Sequence, residues 1–298
     1  MTSPPQAPAP TEVDALLAAM RPRLDRYCAR MVGSVIDGED VLQDALIKAM
    51  EGFASAAPIQ NPQAWLFRIA HNTALDFLRR RNRQDALHSS EEVDMMAGEL
   101  DDVGRREIAA ASLRTFMRLP VAQRSSVILM DVLGCSLQEV CGIMDFSLPA
   151  VKAALHRGRT QLRAFAREPD DAPRPGLSPG ERTRLNAYVS RFNARDFDAI
   201  RAMIADDIRL ELVNRTRLNG KAEVSRYFGN YAKIDDWHLK TGQVEGRPAI
   251  LVFEPDALDA PPRSFMLLDW SADKVAIIRD FRHASYAIDG AEWAVDEG

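Results

Sequence analysis

The stretch CSLQEVCGIMDFSLPAVKAALHRGRTQL, residues 135–162, carries the signals of two short helices joined by a tight turn. Ser136, followed three residues later by Glu139, fits a capping box, in which each side chain satisfies a backbone amide left free in the first helical turn. Leu137, Val140, Cys141 and Met144 recur at helical steps and form one apolar stripe. The residues Asp145-Phe146-Ser147 read as the turn, with Ser147 as the next N-cap and Pro149 in a first turn that needs no amide from it. In the second helix Val151, Leu155, Gly158 and Leu162 line one face. Lys152, Ala153, His156, Arg157 and Arg159 point the other way, and no acidic residue intervenes from Leu148 to Arg163. A short helix, a tight turn and a basic second helix is the geometry that lays the second helix in a DNA major groove. An ordinary helical hairpin with a solvated basic face shares this pattern.

Upstream, WLFRIAHNTALDFLRRRNRQ, residues 65–84, poses the same choice. Leu66, Ile69, Ala70, Thr73 and Phe77 form an apolar stripe at three- and four-residue steps. Arg68, Asn72, Leu75, Arg79 and Asn82 recur on roughly the opposite side. The chain as a whole is acidic, with formal net charge -5, yet this helix ends in Arg79, Arg80, Arg81 and Arg83. One face suits a core and the other a polyanion, although arginines also favour the C-terminal end of a helix dipole.

Composition narrows the classes of function. A length of 298 residues suggests two or three domains, and 46% hydrophobic residues supply ordinary cores. No apolar run approaches the roughly 18 residues of a membrane span. The Pro-rich start MTSPPQAPAPTE lacks the order of a signal peptide and reads as a disordered tail, residues 1–12. Cys28, Cys135 and Cys141 form no CxxC, and the five histidines are scattered, which argues against a metal site or a disulfide framework. A soluble, reduced, cytoplasmic protein is expected, in which a local basic patch can bind DNA despite the net acidity.

The chain divides into blocks. Residues 13–84 are helical by pattern, 85–107 form an acidic linker, and 108–167 are helical again. Residues 168–180, rich in Pro, Asp and Gly, mark the clearest boundary. From 181 to 290 the character changes: two amphipathic helices precede the alternating segments IRLELV, HLKTGQV, AILVFE, RSFMLLDW and KVAIIRDF, which read as strands.

Taken in order, DGEDVLQDALIKAM, NPQAWLFRIAHNTALDFLRRRNRQ and LPVAQRSSVILMDVLGCSLQEVCGIMDFSLPAVKAALHRGRTQLR resemble the extracytoplasmic-function (ECF) sigma factors of bacterial RNA polymerase over about Ala15 to Ala166. Met50 stands where that family often has an aromatic residue, and Ala154 where a basic one is common. The resemblance implies two all-α sigma domains: a region 2 bundle and a region 4 helix-turn-helix. It implies that Asp40, Val41, Gln43 and Asp44 dock the β′ clamp helices of core polymerase, with the β flap as a second contact. It also implies that Arg68, Asn72, Arg79, Arg80 and Arg83 face the promoter's -10 element, with Gln60 and Asn61 reading a flipped base. Ser147, Pro149, Lys152, Ala153, His156, Arg157 and Arg159 would face the -35 element. Glu91, Glu92, Asp94, Glu99, Asp101 and Asp102 would mimic nucleic acid in the polymerase cleft. Some twenty-five linker residues reach roughly 80 Å when extended, enough to set the two DNA modules on separate promoter elements.

The last block resembles the SnoaL-like α+β cone in its order of elements over about Ser178 to Ile288. As an enzyme it would draw acid–base groups from Asp269, His238, His283 and Tyr188. As a regulatory module it would control sigma activity in cis, through a small-molecule ligand or a protein partner. Regulation is the favoured reading, with no catalytic residue, cofactor or metal assigned. For the whole chain the alternative is a helix-turn-helix regulator with a ligand-sensing or catalytic SnoaL-like domain, which would have no use for the docking motif at Asp40 to Asp44.

Overall fold

The computed structural model describes residues 10–55, 59–84, 111–166, 176–231, 233–234 and 236–296. The acidic linker, with the six acidic residues named above, lies outside them. The chain divides into two compact units, Met1–Asp170 and Asp171–Gly298.

The first unit is all helical. Helices α1 (Pro10–Val32), α2 (Val35–Ser55) and α3 (Pro62–Gln84) form the first block. Helix α1 begins inside the stretch assigned to the tail, on a proline whose fixed φ suits a first helical position. The second block holds α4 (Leu113–Met117) and α5 (Val121–Val127), continued by a π-helical turn to Val132. Helices α6 (Leu137–Met144) and α7 (Leu148–Ala166) complete it. The two blocks do not keep separate cores. Leu24, Tyr27, Met31, Leu42 and Phe67 of the first join Phe116, Leu129, Val140, Val151 and Leu155 of the second in one buried cluster.

Two glycines permit close helix approaches. A Cβ on Gly38 of α2 would lie 2.6 Å from the backbone of Ala29 in α1. One on Gly158 of α7 would lie 2.8 Å from Val127 Cγ2 and 3.2 Å from the Gln123 carbonyl oxygen. Gly158 costs α7 about 1 kcal/mol of helix propensity, and the contact with α5 explains its presence.

The second unit opens with α8 (Pro179–Asn193), capped by a reciprocal Ser178–Glu181 box, and α9 (Phe197–Met203). Strands β1 (Ile204–Leu212) and β2 (Thr216–Asn219) precede α10 (Lys221–Tyr231). Strands β3 (His238–Val244), β4 (Arg247–Phe253), β5 (Ser264–Ser271), β6 (Lys274–Asp280) and β7 (Trp293–Val295) follow. The sheet order is β2-β1-β6-β5-β4-β3-β7, with β1 and β6 parallel and every other pair antiparallel. The five strands expected from alternation are present. The short strands β2 and β7 were not anticipated, because four and three residues are too few to show an alternation.

Candidate nucleic-acid interface

On α3 the arginines have two different uses. Arg68, Asn72, Arg79, Arg80 and Arg83 are exposed, so the polar face expected from the helical wheel exists. Arg81 turns inward: its guanidinium donates to the Val32 carbonyl at 2.9 Å and lies 3.9 Å from Asp37. It therefore ties the end of α3 to the end of α1. Asn61 has a structural use as well: its Oδ1 accepts the Ala64 amide at 3.0 Å, which makes it the N-cap of α3. Gln60 remains exposed beside it.

On α2, Asp40 and Asp44 are exposed and Gln43 is half-buried, one helical step apart. The same stripe continues into Ile47 and Met50, which are 50% and 56% exposed. Sequence reading stopped at the acidic half. Val41 is buried, so it braces this surface from inside and does not form part of it. Glu39 is buried too, in an ion pair with Arg21 of α1. Beside them sits Asp25, whose Oδ1 has no hydrogen-bond partner. Burial and the Glu39 charge push its carboxyl up to about 8, against the pull of Arg21, Arg30 and Arg26.

This has a measurable consequence. The folded chain holds a proton on Asp25 that the unfolded chain releases above about pH 4, so Asp25 makes stability fall as pH rises toward 8. His71, hydrogen-bonded to Tyr27 at 2.7 Å, is pulled down to about 4 by burial. It acts oppositely, costing stability as pH drops below about 6.5. Between about 4 and 6.5 the two slopes offset each other; from 6.5 to 8 Asp25 acts without that offset. Stability is expected to fall there by up to about 1.4 kcal/mol per pH unit. Asp25→Asn should flatten this segment in urea unfolding at pH 6.5 and pH 8, and an unchanged slope would refute the assignment.

The helix-turn-helix forms as read. Ser136 and Glu139 make the reciprocal box, and Asp145 ends α6 in the left-handed region at φ 57°. Ser147 Oγ accepts the Ala150 amide at 3.4 Å. Ser147, Pro149 and Lys152 are exposed, and Ala153, His156 and Arg157 are half-buried. Arg159 does not join them. Its guanidinium forms a two-pronged bond to Asp131 at 2.6 and 2.9 Å, and that carboxylate is buried. Leaving Asp131 unpaired would cost several kcal/mol, so Arg159 belongs to the fold.

The two faces meet across the shared core. Arg68 Nε donates to the Gly142 carbonyl of α6 at 2.9 Å, and Arg23 donates to the Leu133 carbonyl at 3.0 Å. Arg124 of α5 is buried and donates to the Met31, Met117 and Leu119 carbonyls. Those oxygens lie at the ends of α1 and α4, where helices leave carbonyls without internal partners. One guanidinium thus caps a helix of each block.

Among the described residues of the second unit, no hydrogen bond or ion pair joins the expected acid–base residues to one another. Asp269 is exposed, His238 is half-buried at the start of β3, and His283 Nε2 lies 3.3 Å from Arg215. The polar centre lies elsewhere. Asp280, almost fully buried, accepts from Tyr231 at 2.6 Å and Tyr227 at 3.2 Å on Oδ2, and from the Arg282 amide on Oδ1 at 2.9 Å. Tyr188, a sequence candidate found here, is fully buried with its hydroxyl unpartnered; burial and the Asp280 charge hold its proton on. His283 also lies within reach of the Asp280 charge, though burial and Arg215 pull its pKa down. Asp280 was legible only as the last residue of a strand.

Among known families, Sigma-70 region 2 matches residues 16–84, Sigma-70 region 4 matches 113–162, and the SnoaL-like domain matches 185–284. The ECF RNA polymerase sigma factor SigG of Mycobacterium tuberculosis is 27% identical, covering 88% of this chain and 78% of its own. The chain thus carries both Sigma-70 regions followed by a SnoaL-like domain, and its relatives are ECF sigma factors. The ECF sigma factor SigW of Bacillus subtilis is 29% identical over 49% of this chain and 84% of its own. In a crystal structure, SigJ of Mycobacterium tuberculosis aligns over 90% of this chain and 95% of its own at 18% identity, with TM-score 0.37. As a sigma factor with a C-terminal SnoaL-like domain, the chain directs promoter-specific initiation of transcription. Among the described residues no helix is long and apolar enough to cross a membrane, and no three His, Cys, Asp or Glu side chains group as metal ligands.

Proposed function

We propose that this sigma factor docks core RNA polymerase in the cytoplasm through the α2 stripe of Asp40, Gln43, Asp44, Ile47 and Met50, on the β′ clamp helices, with region 4 on the β flap. Arg68, Asn72, Arg79, Arg80 and Arg83 then meet the -10 element, where cationic side chains neutralise phosphates. Lys152, His156 and Arg157 meet the -35 element. The observation that carries this reading is the exposure of three separate faces, docking, melting and groove-reading, on one helical chain in the family's order.

A compact body the size of Met1–Asp170 is about 40 Å across. Two elements some 20 base pairs apart are separated by roughly 70 Å at 3.4 Å per step. The shared core is therefore a closed state, and α3 must part from α6 before both elements are engaged. The released linker of residues 85–107 has the length for that. The domain boundaries within the first unit follow the same logic: 13–84 and 108–167 become separate modules on polymerase.

The SnoaL-like domain is proposed to regulate this step in cis, without catalysis of its own. In support, Asp280 already carries three hydrogen bonds, and the hydroxyl of Tyr188 beside it is buried without a partner. Run-off transcription with core polymerase over a promoter library tests both parts. Full-length protein and residues 1–170 should both start at specific promoters, with different yields. No specific start from either protein would overturn the sigma assignment, and equal yields with and without cell extract would overturn the regulatory one.

A further inference from the structure

Four large hydrophobic side chains among the described residues stand exposed, in two pairs: Ile47 and Met50 on α2, and Phe146 and Leu148 at the helix-turn-helix turn. The second pair, 41% and 43% exposed, has no part in the docking surface. It is held rigidly. Asp145 takes the left-handed conformation, the Phe146 amide bonds back to the Cys141 carbonyl at 3.2 Å, and the Val151 amide to the Ser147 carbonyl at 3.0 Å. Leu148, Pro149 and Ala150 then make an exposed first turn of α7 that is apolar in every side chain. Positive charge begins only at Lys152.

The first turn of the second helix is the part that meets base edges when such a motif lies in a major groove. Apolar atoms there face one matching group, the C5 methyl of thymine. Every other major-groove edge offers donors or acceptors that an alkyl side chain would strip of water without replacing. We propose that Leu148, exposed on the first turn of α7, reads a thymine methyl in the upstream promoter element, while Lys152 and Arg157 hold the flanking phosphates. Leu148 is thereby a specificity-determining residue. This rests on the sigma reading above.

The test uses the full chain with core polymerase. An upstream element is first selected from a random library. Each of its thymines is then replaced singly by deoxyuridine, which removes the methyl and nothing else. Wild type should bind one substituted site about three- to fourfold more weakly, the worth of one buried methyl-sized group. Leu148→Ala should bind the thymine and uridine sites equally, and Leu148→Met should restore a preference for thymine. Leu148 is exposed, so the melting temperature should not move. Indifference of wild type to every uridine, or the same thymine preference in Leu148→Ala, would overturn this proposal and leave the sigma reading standing. Selection of no upstream element would overturn both.

Discussion

Arg124→Met is expected to destabilise the Met1–Asp170 unit by about 3 kcal/mol or more. The arginine is 4% exposed, and its guanidinium holds the carbonyls of Met31, Met117 and Leu119. Methionine fills much of the volume but donates nothing, and each buried carbonyl left unpaired costs about 1–3 kcal/mol. At about 2–4 °C per kcal/mol for a unit of this size, the thermal midpoint should fall by roughly 10 °C. Burial lowers the arginine to about 10, so it remains charged at neutral pH and the loss should be present there. Arg124→Lys should recover only part of the loss, because a compact ammonium cannot fork to carbonyls on two helices. A midpoint within 2 °C of wild type would show that the two helix ends do not depend on this residue. Run-off assays below the lowered midpoint add a functional reading: if the shared core is a closed state, the variant should initiate at least as well as wild type.

The double variant Ile47→Asp/Met50→Asp should behave oppositely, stable but inactive. Both side chains are more than half exposed, so the fold should lose little and the thermal midpoint should stay within a few degrees. Burying such side chains against a partner gains about 1.5–3 kcal/mol each, and two added carboxylates remove that gain. Capture of core polymerase by the variant should drop at least tenfold, with run-off transcript falling in step. Capture equal to wild type would confine docking to the acidic half of the stripe, Asp40 to Asp44.

Much of this was legible in the sequence, because local signals carry it. Ser136 and Glu139 satisfy each other's amides across three residues, so the start of α6 follows from its own few residues. The alternation in HLKTGQV places β3 without reference to its neighbours. The basic face of α3 follows from spacing alone. What the sequence by itself determined is the longer elements, their amphipathic faces and their order, and with these the sigma-type architecture; the short strands β2 and β7 it did not. The tertiary structure alone decided which polar residues those faces keep. Glu39, Arg81 and Arg159 look like their exposed neighbours on a helical wheel, yet each turns inward to a partner 18, 49 and 28 residues away: Arg21, the Val32 carbonyl and Asp131. A charged side chain goes inside only where such a partner offsets its lost hydration, and no periodicity records partners at that range. The same holds for Arg124 between two helix ends, for Asp280 beneath its tyrosines, and for the single core that joins the two helical blocks. An apolar stripe states that a face must be covered; only the folded chain states by what.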